Sequence, residues 1–202
     1  VIVSGPAGLT AAYHLANMGY GATIFEALPV AGGMLVVGIP EHRLPKKVLQ
    51  AEIEMIERCG VEIKLNSPLG KDLTIEGIKK QGYKVVFLAV GAQSSMKLNI
   101  PGEVLEGAYH GTTFLRDVNL GKEVKVGKKV AVIGGGNVAI DVALTALRLG
   151  AQDVQVVCLE CSNEEMPALD EEIKQAKEEG VKIDVAWGPT KILGSDGKVK
   201  GI

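Results

Sequence analysis

The sequence predicts an α/β fold made of two similar lobes, and three observations support this prediction. Two stretches, beginning near residues 1 and 129, each combine an apolar strand, a glycine-rich turn and a helix. In both, the apolar run after the helix ends in a glutamate, Glu26 or Glu160. The composition is that of an ordinary globular protein, with 47% hydrophobic and 23% charged residues in a chain of 202.

The stretch 129–151 carries the clearer of the two patterns. Val130 to Ile133 predict a strand that is buried on both faces. Val138 to Leu149 predict a helix, and Gly150 suits its C-terminal cap. The apolar residues expected on the buried face of this helix are Val138, Val142, Leu144, Ala146 and Leu149.

The turn between this strand and helix has the form G-x-G-x-x-A. Gly134 permits a tight turn, Gly136 lets a pyrophosphate approach the backbone, and Ala139 lets the helix pack closely on the strand. Asn137 and Val138 open the helix, whose first N–H groups and positive dipole end favour phosphate. The turn therefore predicts a Rossmann-like dinucleotide site, and the alternative is a structural turn without a ligand.

Residues 1–26 repeat this order of elements. Their helix is predicted over Leu9 to Asn17 and their second strand over Ala22 to Phe25, and Glu26 fits the position that accepts hydrogen bonds from a ribose. Two such units in one chain favour a flavoprotein that holds FAD in the first unit and a nicotinamide dinucleotide in the second.

The first turn departs from the motif at one position. Gly5 and Gly8 fit the second and third glycines of G-x-G-x-x-G, but Val3 stands where the first glycine is expected. A β-branched residue is strained there if the backbone requires a positive φ. The first site is therefore predicted to be strained or altered.

A third stretch, AGGMLVVGIPEHRLPK at residues 31–46, is more specific than either turn. Together with SGPAGL and VAVIGGGNVAIDVALTALRLGA, it resembles the small subunit of bacterial glutamate synthase. Similar proteins include the flavin subunits of ferredoxin-dependent and electron-bifurcating transhydrogenases and the FAD/NADPH part of dihydropyrimidine dehydrogenase. The resemblance implies a nicotinamide lobe inserted into an FAD lobe, both incomplete in a fragment, with residues 1–120 as FAD lobe and connector and 121–202 as nicotinamide lobe.

The resemblance also implies which residues hold FAD. The first turn would face the pyrophosphate, Glu26 the ribose, and the 31–46 stretch the flavin side. The implied positions are Gly5, Pro6, Ala7, Gly8, Glu26, Gly33, Met34, Arg43, Leu69 and Gly91. Without the resemblance, Met34 is expected in the core and Arg43 as a solvated charge. Val90 replaces a threonine that relatives usually carry before this glycine.

The second site points to the choice of nicotinamide. Relatives that use NADPH end the strand after the glycine turn in two arginines, whereas this chain has Glu160 and Cys161. A carboxylate accepts hydrogen bonds from both ribose hydroxyls of NAD and repels the additional phosphate of NADP. We therefore expect NAD(H), bound by Gly134, Gly136, Asn137, Val138 and Glu160. The alternative is that Glu160 is only a solvated strand end.

The resemblance implies hydride transfer between NAD(H) and flavin, with electrons passing to iron–sulfur centres of a larger complex. The cofactors carry this chemistry, so no catalytic side chain is predicted. The expected partners are iron–sulfur subunits or ferredoxin in a hetero-oligomer. The alternatives are an NADPH-dependent glutamate synthase small subunit, a flavin-dependent disulfide reductase, and a structural or regulatory lobe that has lost its flavin.

Composition excludes several classes of protein, and the remaining apolar patterns predict further helices and strands. The net charge of −2 and the absence of long apolar runs argue against a nucleic-acid surface and a membrane span. Three cysteines suit a reducing cytoplasm, and the pair Cys158 and Cys161 is expected to pack rather than bind metal.

Further elements are predicted as a helix (46–59), strands (61–65 and 84–90), a helix reaching about residue 179 and a hairpin (191–202).

Overall fold

The computed structural model describes residues 1–70 and 73–202, and the chain divides into two compact units, Val1–Gln93 and Ser94–Ile202. Each unit combines helices with short parallel strands, so the predicted α/β class is confirmed. The second unit begins earlier than residue 121, because the segment 94–120 clusters with it. The assignment of residues 1–120 and 121–202 to two cofactors stays a prediction.

The first unit contains four helices and two short strands among its described residues. The strands are parallel, with Thr23 opposite Glu62 and Phe25 opposite Lys64. The elements are α1 (Pro6–Asn17), β1 (Thr23–Phe25), α2 (Met34–Val37), α3 (Lys46–Arg58), β2 (Glu62–Lys64) and α4 (Ile75–Lys80). The predicted helices α1 and α3 and the predicted strands β1 and β2 are confirmed. Helix α2 and helix α4, which the Thr74 side chain caps at the Gly77 N–H, were not predicted.

Two predicted strands of this unit are shorter than expected. Residues 1–3 and 84–90 are reduced to single bridges, in which Ile2 pairs in parallel with Phe25 on one side and Leu88 on the other. Val3 leaves the extended conformation at once, with φ of 76°, which ends the first strand. Among the described residues, Leu88 pairs with Ile2 alone, and it is 56% exposed.

The core of the first unit lies between α1, β1 and α3. Leu49, Ile53 and Ile56 are buried on one face of α3 against Leu9 and Ile24. These three residues follow helical spacing and form one apolar face, while the glutamates of α3 lie on other faces. The packing holds the first glycine turn against the sheet.

The second unit is built around a parallel sheet with the order β3-β4-β5. Its elements are α5 (Gly111–Asn119), β3 (Lys129–Ile133), α6 (Asn137–Arg148), β4 (Asp153–Val157), α7 (Asp170–Glu178), β5 (Lys182–Asp184), β6 (Leu193–Ser195) and β7 (Lys198–Gly201). The strand, turn, helix and strand predicted from residue 129 are confirmed, whereas α5 and β5 were not predicted.

Two details of this central stretch differ from the prediction. Only Val132 of β3 is buried, because β3 is an edge strand of the sheet among the described residues. Val138 on α6 and Leu149, its C-cap residue, are 47% and 40% exposed, and the buried face of the helix centres on Ile140 and Leu144. Helix α6 packs against α5 and α7 as well as the sheet, so a single apolar stripe does not describe its burial.

Local sequence signals fix the ends of these elements. The N–H groups of Gly150 and Ala151 donate to the carbonyls of Leu147 and Ala146, which is a Schellman cap on α6. Strands β6 and β7 form the predicted hairpin, and Asp196 and Gly197 both have positive φ, as a type I′ turn requires. Among the residues that the structure describes, no helix has the length and apolar character to cross a membrane.

Candidate nucleotide sites

The first glycine turn carries the predicted backbone strain. Val3 has φ of 76°, which confirms that this position requires the conformation glycine adopts most easily. Gly5 then caps α1 in an extended conformation, and Pro6 occupies the first helical turn. A Cβ on Gly8 would lie 2.0 Å from the carbonyl oxygen of Val3. Only glycine therefore fits the third position of this turn.

Glu26 and Ser4 form a buried hydrogen-bond network beneath the turn. The backbone N–H and the hydroxyl of Ser4 donate to Glu26 Oε2 at 2.8 and 2.6 Å, and the Leu28 N–H donates to Oε1 at 2.9 Å. The Ser4 hydroxyl in turn accepts from the Gly32 N–H at 3.0 Å. Glu26 is 2% exposed and Ser4 is fully buried. Both oxygens of the predicted ribose acceptor therefore already receive protein donors.

The loop at Gly33 packs directly on the glycine turn. Gly33 has φ of 55°, and a Cβ on it would lie 2.7 Å from the Gly5 Cα. The two glycines thus bring two backbone segments together and wall a cleft of about 280 Å³. Six of the predicted FAD-binding residues line this cleft: Gly5, Pro6, Ala7, Gly33, Met34 and Gly91. A Cβ on Gly5 would meet no atom within 4 Å, which leaves this face of the turn open to a ligand.

Four residues implied by the resemblance do not line the cleft. Gly8 and Glu26 lie in the packed turn and the network described above, and Arg43 and Leu69 lie elsewhere. Arg43 is exposed, and its backbone N–H donates to the Pro40 carbonyl in a turn. Leu69 is 36% exposed and its backbone pairs with Leu73. The same sequence run contributes Lys46, whose ammonium donates to the carbonyls of Leu35 and Ile39. Burial lowers the pKa of Lys46, while Glu41 acts in the opposite direction.

The second glycine turn adopts the geometry that its sequence predicts. Gly134 has φ of 128°, its N–H donates to the Val157 carbonyl at 2.9 Å, and Gly136 caps α6 in an extended conformation. Ala139 is buried at the third position. The chain turns from β3 into α6 with the first N–H groups of the helix at the carboxyl end of the sheet.

The segment 164–169 closes on this turn. The Ala168 N–H donates to the Gly135 carbonyl at 3.1 Å, and the Leu169 N–H donates to Asn137 Oδ1 at 2.9 Å. The side chain of Asn137, predicted to bind cofactor, therefore orders a neighbouring loop. Val138 is about half exposed beside it.

Glu160 follows β4 and lies against the second turn. Its Oε2 is buried and has no hydrogen-bond partner in the described part of the chain. A Cβ on Gly135 would lie 2.5 Å from this oxygen, so the carboxylate sits directly over the glycine backbone. Burial, and then Glu160, raise the pKa of the Cys158 thiol. The turn thus carries a buried carboxylate oxygen that still lacks a donor.

These features were only partly visible in the sequence. The role of Ser4 was missed because it depends on contacts with residues 22 and 28 positions away. Lys46 was missed because its partners are backbone carbonyls, which no motif records. The pair Cys158 and Cys161 divides into one buried and one exposed thiol, both free.

The fold and the two turns define a class: oxidoreductases with Rossmann-type nucleotide-binding lobes. The structure of FprA from Mycobacterium tuberculosis, in complex with NADPH, superposes with a TM-score of 0.79 at 20% identity, over 98% of this chain and 61% of FprA. The amino-acid sequence also matches: the model of the family described as pyridine nucleotide-disulphide oxidoreductase matches residues 1–202. The chain belongs to this family.

Two relatives confirm the narrower resemblance. The beta subunit of the NADP(+)-dependent formate dehydrogenase of Moorella thermoacetica is 47% identical, over 100% of this chain and 29% of that protein. The small chain of the NADPH glutamate synthase of Escherichia coli K12 is 35% identical, over 100% of this chain and 45% of its own length. The chain therefore spans less than half the length of these curated relatives.

Proposed function

We propose that this chain is the nucleotide-binding part of an FAD-containing oxidoreductase subunit that transfers hydride between NAD(H) and flavin. The observation that carries the proposal is the presence of two glycine turns in one chain, each at the start of a helix and each followed by a glutamate at a strand end. Family membership supports the flavin-dependent reaction with a nicotinamide. The bound cofactors would supply the redox chemistry, and the protein would position them.

The first site fits part of an FAD molecule. Gly5 and Gly33 expose backbone to a cleft of about 280 Å³, next to the N-terminus of α1. An ionised carboxylate has about four lone-pair sites, and Glu26 already accepts three hydrogen bonds from Ser4 and Leu28. Glu26 retains capacity for about one ribose hydroxyl. Its main task here is to hold the turn in the shape that a pyrophosphate needs.

Glu160 supports our proposal of NAD(H) rather than NADP(H) at the second site. The unpartnered Oε2 of Glu160 is an acceptor, which suits a ribose hydroxyl and opposes a ribose phosphate. The two relatives are named for NADP(+) and NADPH, so the choice of NAD(H) rests on Glu160 alone. The names of both relatives are also those of subunits, and we propose that this protein likewise passes electrons to iron–sulfur centres in a larger complex.

The test is anaerobic reduction of the full-length flavoprotein. NADH should bleach the absorbance of the oxidised flavin faster than NADPH at equal, subsaturating concentrations. Glu160→Arg should reverse this preference by about tenfold or more, because it replaces an acceptor of the hydroxyl by a donor to the phosphate. Glu171→Arg, a similar charge change at an exposed position of α7, should leave the preference unchanged.

Three outcomes would contradict the proposal in different ways. A preparation without flavin would refute the assignment of FAD to the first unit. Faster bleaching by NADPH would show that Glu160 does not select NAD(H). Flavin that neither nucleotide reduces would refute hydride transfer itself.

A further inference from the structure

Trp187, the chain's sole tryptophan, lies where β5 leaves the sheet and is 67% exposed. It follows Asp184, the last residue of β5, at the carboxyl end of the strands. Ligands of parallel α/β sheets bind at this end. A large aromatic side chain left in solvent at a ligand-binding edge requires an explanation.

The backbone is distorted at the residue that precedes Trp187. In a regular parallel ladder, a residue that donates to Asp184 would accept from residue 186. Cys158 donates to Asp184 at 3.1 Å but accepts from the Trp187 N–H at 2.9 Å, so one extra residue is inserted. The extra residue is Ala186, whose φ is 60°, a strained conformation for an alanine. Such bulges redirect side chains next to active sites.

The same bulge ties Trp187 to the second nucleotide site. The Ala186 N–H donates to the Glu160 carbonyl at 2.6 Å, so Trp187 is joined through one peptide to the residue with the unpartnered carboxylate oxygen. Leu159, between Cys158 and Glu160, is 74% exposed. A Cβ on Gly188 would lie 2.8 Å from Leu159 Cδ2, so the Leu159 side chain reaches across to the segment that carries Trp187.

Two exposed apolar side chains, Trp187 and Leu159, therefore belong to the two segments that hydrogen-bond to each other at Glu160, beside the glycine turn. A flat apolar ring with hydroxyl groups at one end complements this arrangement, and an adenosine has that shape. We propose that Trp187, assisted by Leu159, stacks on the adenine of the nicotinamide dinucleotide whose ribose Glu160 holds. This inference rests on the proposed function and adds to it the residue that recognises the base.

The test uses the full-length flavoprotein and three probes: NADH, ADP-ribose and reduced nicotinamide mononucleotide, which lacks adenine. Trp187→Ala should raise the Kd for NADH and ADP-ribose by about tenfold or more. Trp187→Phe should raise it less, because it retains an aromatic face. Reduction of the flavin by the mononucleotide should be unchanged in both variants, which reports an intact protein. Tyr20→Ala removes another exposed aromatic ring, 65% exposed, and should change none of these values.

Fluorescence gives a second measurement that does not depend on turnover. NADH and ADP-ribose should quench tryptophan emission in the parent protein, and Trp187→Phe should remove the quenched component. Unchanged Kd values for NADH and ADP-ribose in Trp187→Ala would overturn the inference. If Trp187→Ala left these Kd values unchanged but Glu160→Arg still weakened NADH binding, the proposed function would stand and only the stacking of Trp187 on adenine would be refuted. Loss of partner-subunit assembly with unchanged nucleotide affinity would instead assign Trp187 to a protein interface, and absence of any nucleotide binding would refute both proposals.

Discussion

The two glycine turns have the same order of elements but use their glutamates differently. Glu26 accepts hydrogen bonds on both carboxylate oxygens from Ser4 and Leu28. Glu160 has one buried oxygen without a partner, directly over Gly135. The first glutamate is largely committed to the loop, whereas the second keeps one oxygen without a donor. A shared motif thus locates both turns without indicating which acid keeps an unpartnered oxygen.

The turns also differ in how closely their backbones pack. In the first turn, the helix approaches the Val3 carbonyl so closely that Gly8 has no room for a Cβ. In the second, Ala139 already carries a Cβ at the corresponding position and is buried without displacing the turn. The first turn is therefore the tighter one, although Val3 gives it the less suitable sequence.

The largest effect is expected from Gly8→Ala. The new Cβ would lie 2.0 Å from a backbone oxygen, and the first turn must shift, so the free energy of unfolding should fall by about 3 kcal/mol or more. Urea unfolding measures this loss. Gly5→Ala is the matched control, because its Cβ meets no atom within 4 Å. It should change stability by less than about 0.5 kcal/mol while weakening FAD binding, and equal losses in both variants would contradict the difference in packing.

Ser4→Ala should have the next largest effect. It removes a buried donor to Glu26 and the acceptor of the Gly32 N–H, and unsatisfied buried groups of this kind cost about 1–3 kcal/mol each. We expect a loss of about 2 kcal/mol together with weaker retention of flavin during dialysis. Ser67→Ala is the control, since its hydroxyl donates only to the nearby Leu65 carbonyl. A stable Ser4→Ala protein with full flavin would show that the network does not support the turn.

An exchange of residues at the first motif position tests the backbone strain. Val3 and Gly134 both have positive φ, 76° and 128°. Val3→Gly should stabilise the protein by up to about 1 kcal/mol, and Gly134→Val should destabilise it by about 1–2 kcal/mol. Thermal unfolding of the two variants measures both changes. Destabilisation by Val3→Gly would mean that packing of the valine side chain outweighs its strain.

Sequence predicted the features that depend on neighbouring residues. Helices α1, α3 and α6 and the Asp196-Gly197 hairpin follow from periodicity, caps and turn residues. The positive φ of Val3 follows from its place in the motif. These signals are local, so a single sequence contains them.

What sequence did not predict depends on contacts between distant segments. The Ser4 and Glu26 network and the closing of segment 164–169 on Asn137 join residues that no periodic pattern relates. The bulge at Ala186 was also hidden, since alanine gives no indication of a positive φ. The exposure of Val138 on α6 also differs from the sequence period, because helices pack on this helix from several sides.

The smallest predicted effect concerns the thiol of Cys158, which interacts with Glu160. Burial and Glu160 raise the pKa of Cys158 above that of an ordinary thiol, so the folded protein keeps this proton at pH values where the unfolded chain has lost it. The stabilisation is complete below the unfolded pKa, about 8.5, and is lost as the pH rises through the folded pKa. The unfolding temperature of the parent protein should therefore fall more steeply between pH 7 and 10 than the unfolding temperature of Cys158→Ala.

Alkylation distinguishes the two contributions to this shift. Cys158 should react with iodoacetamide more slowly than the exposed Cys161. Glu160→Gln removes the carboxylate charge but not the burial, so it should bring the pH midpoint of Cys158 alkylation down only in part. An unchanged midpoint in Glu160→Gln would mean that the carboxylate does not face the thiol. In that case, the difference between Glu160 and Glu26 would be limited to the hydrogen bonds that their carboxylates accept.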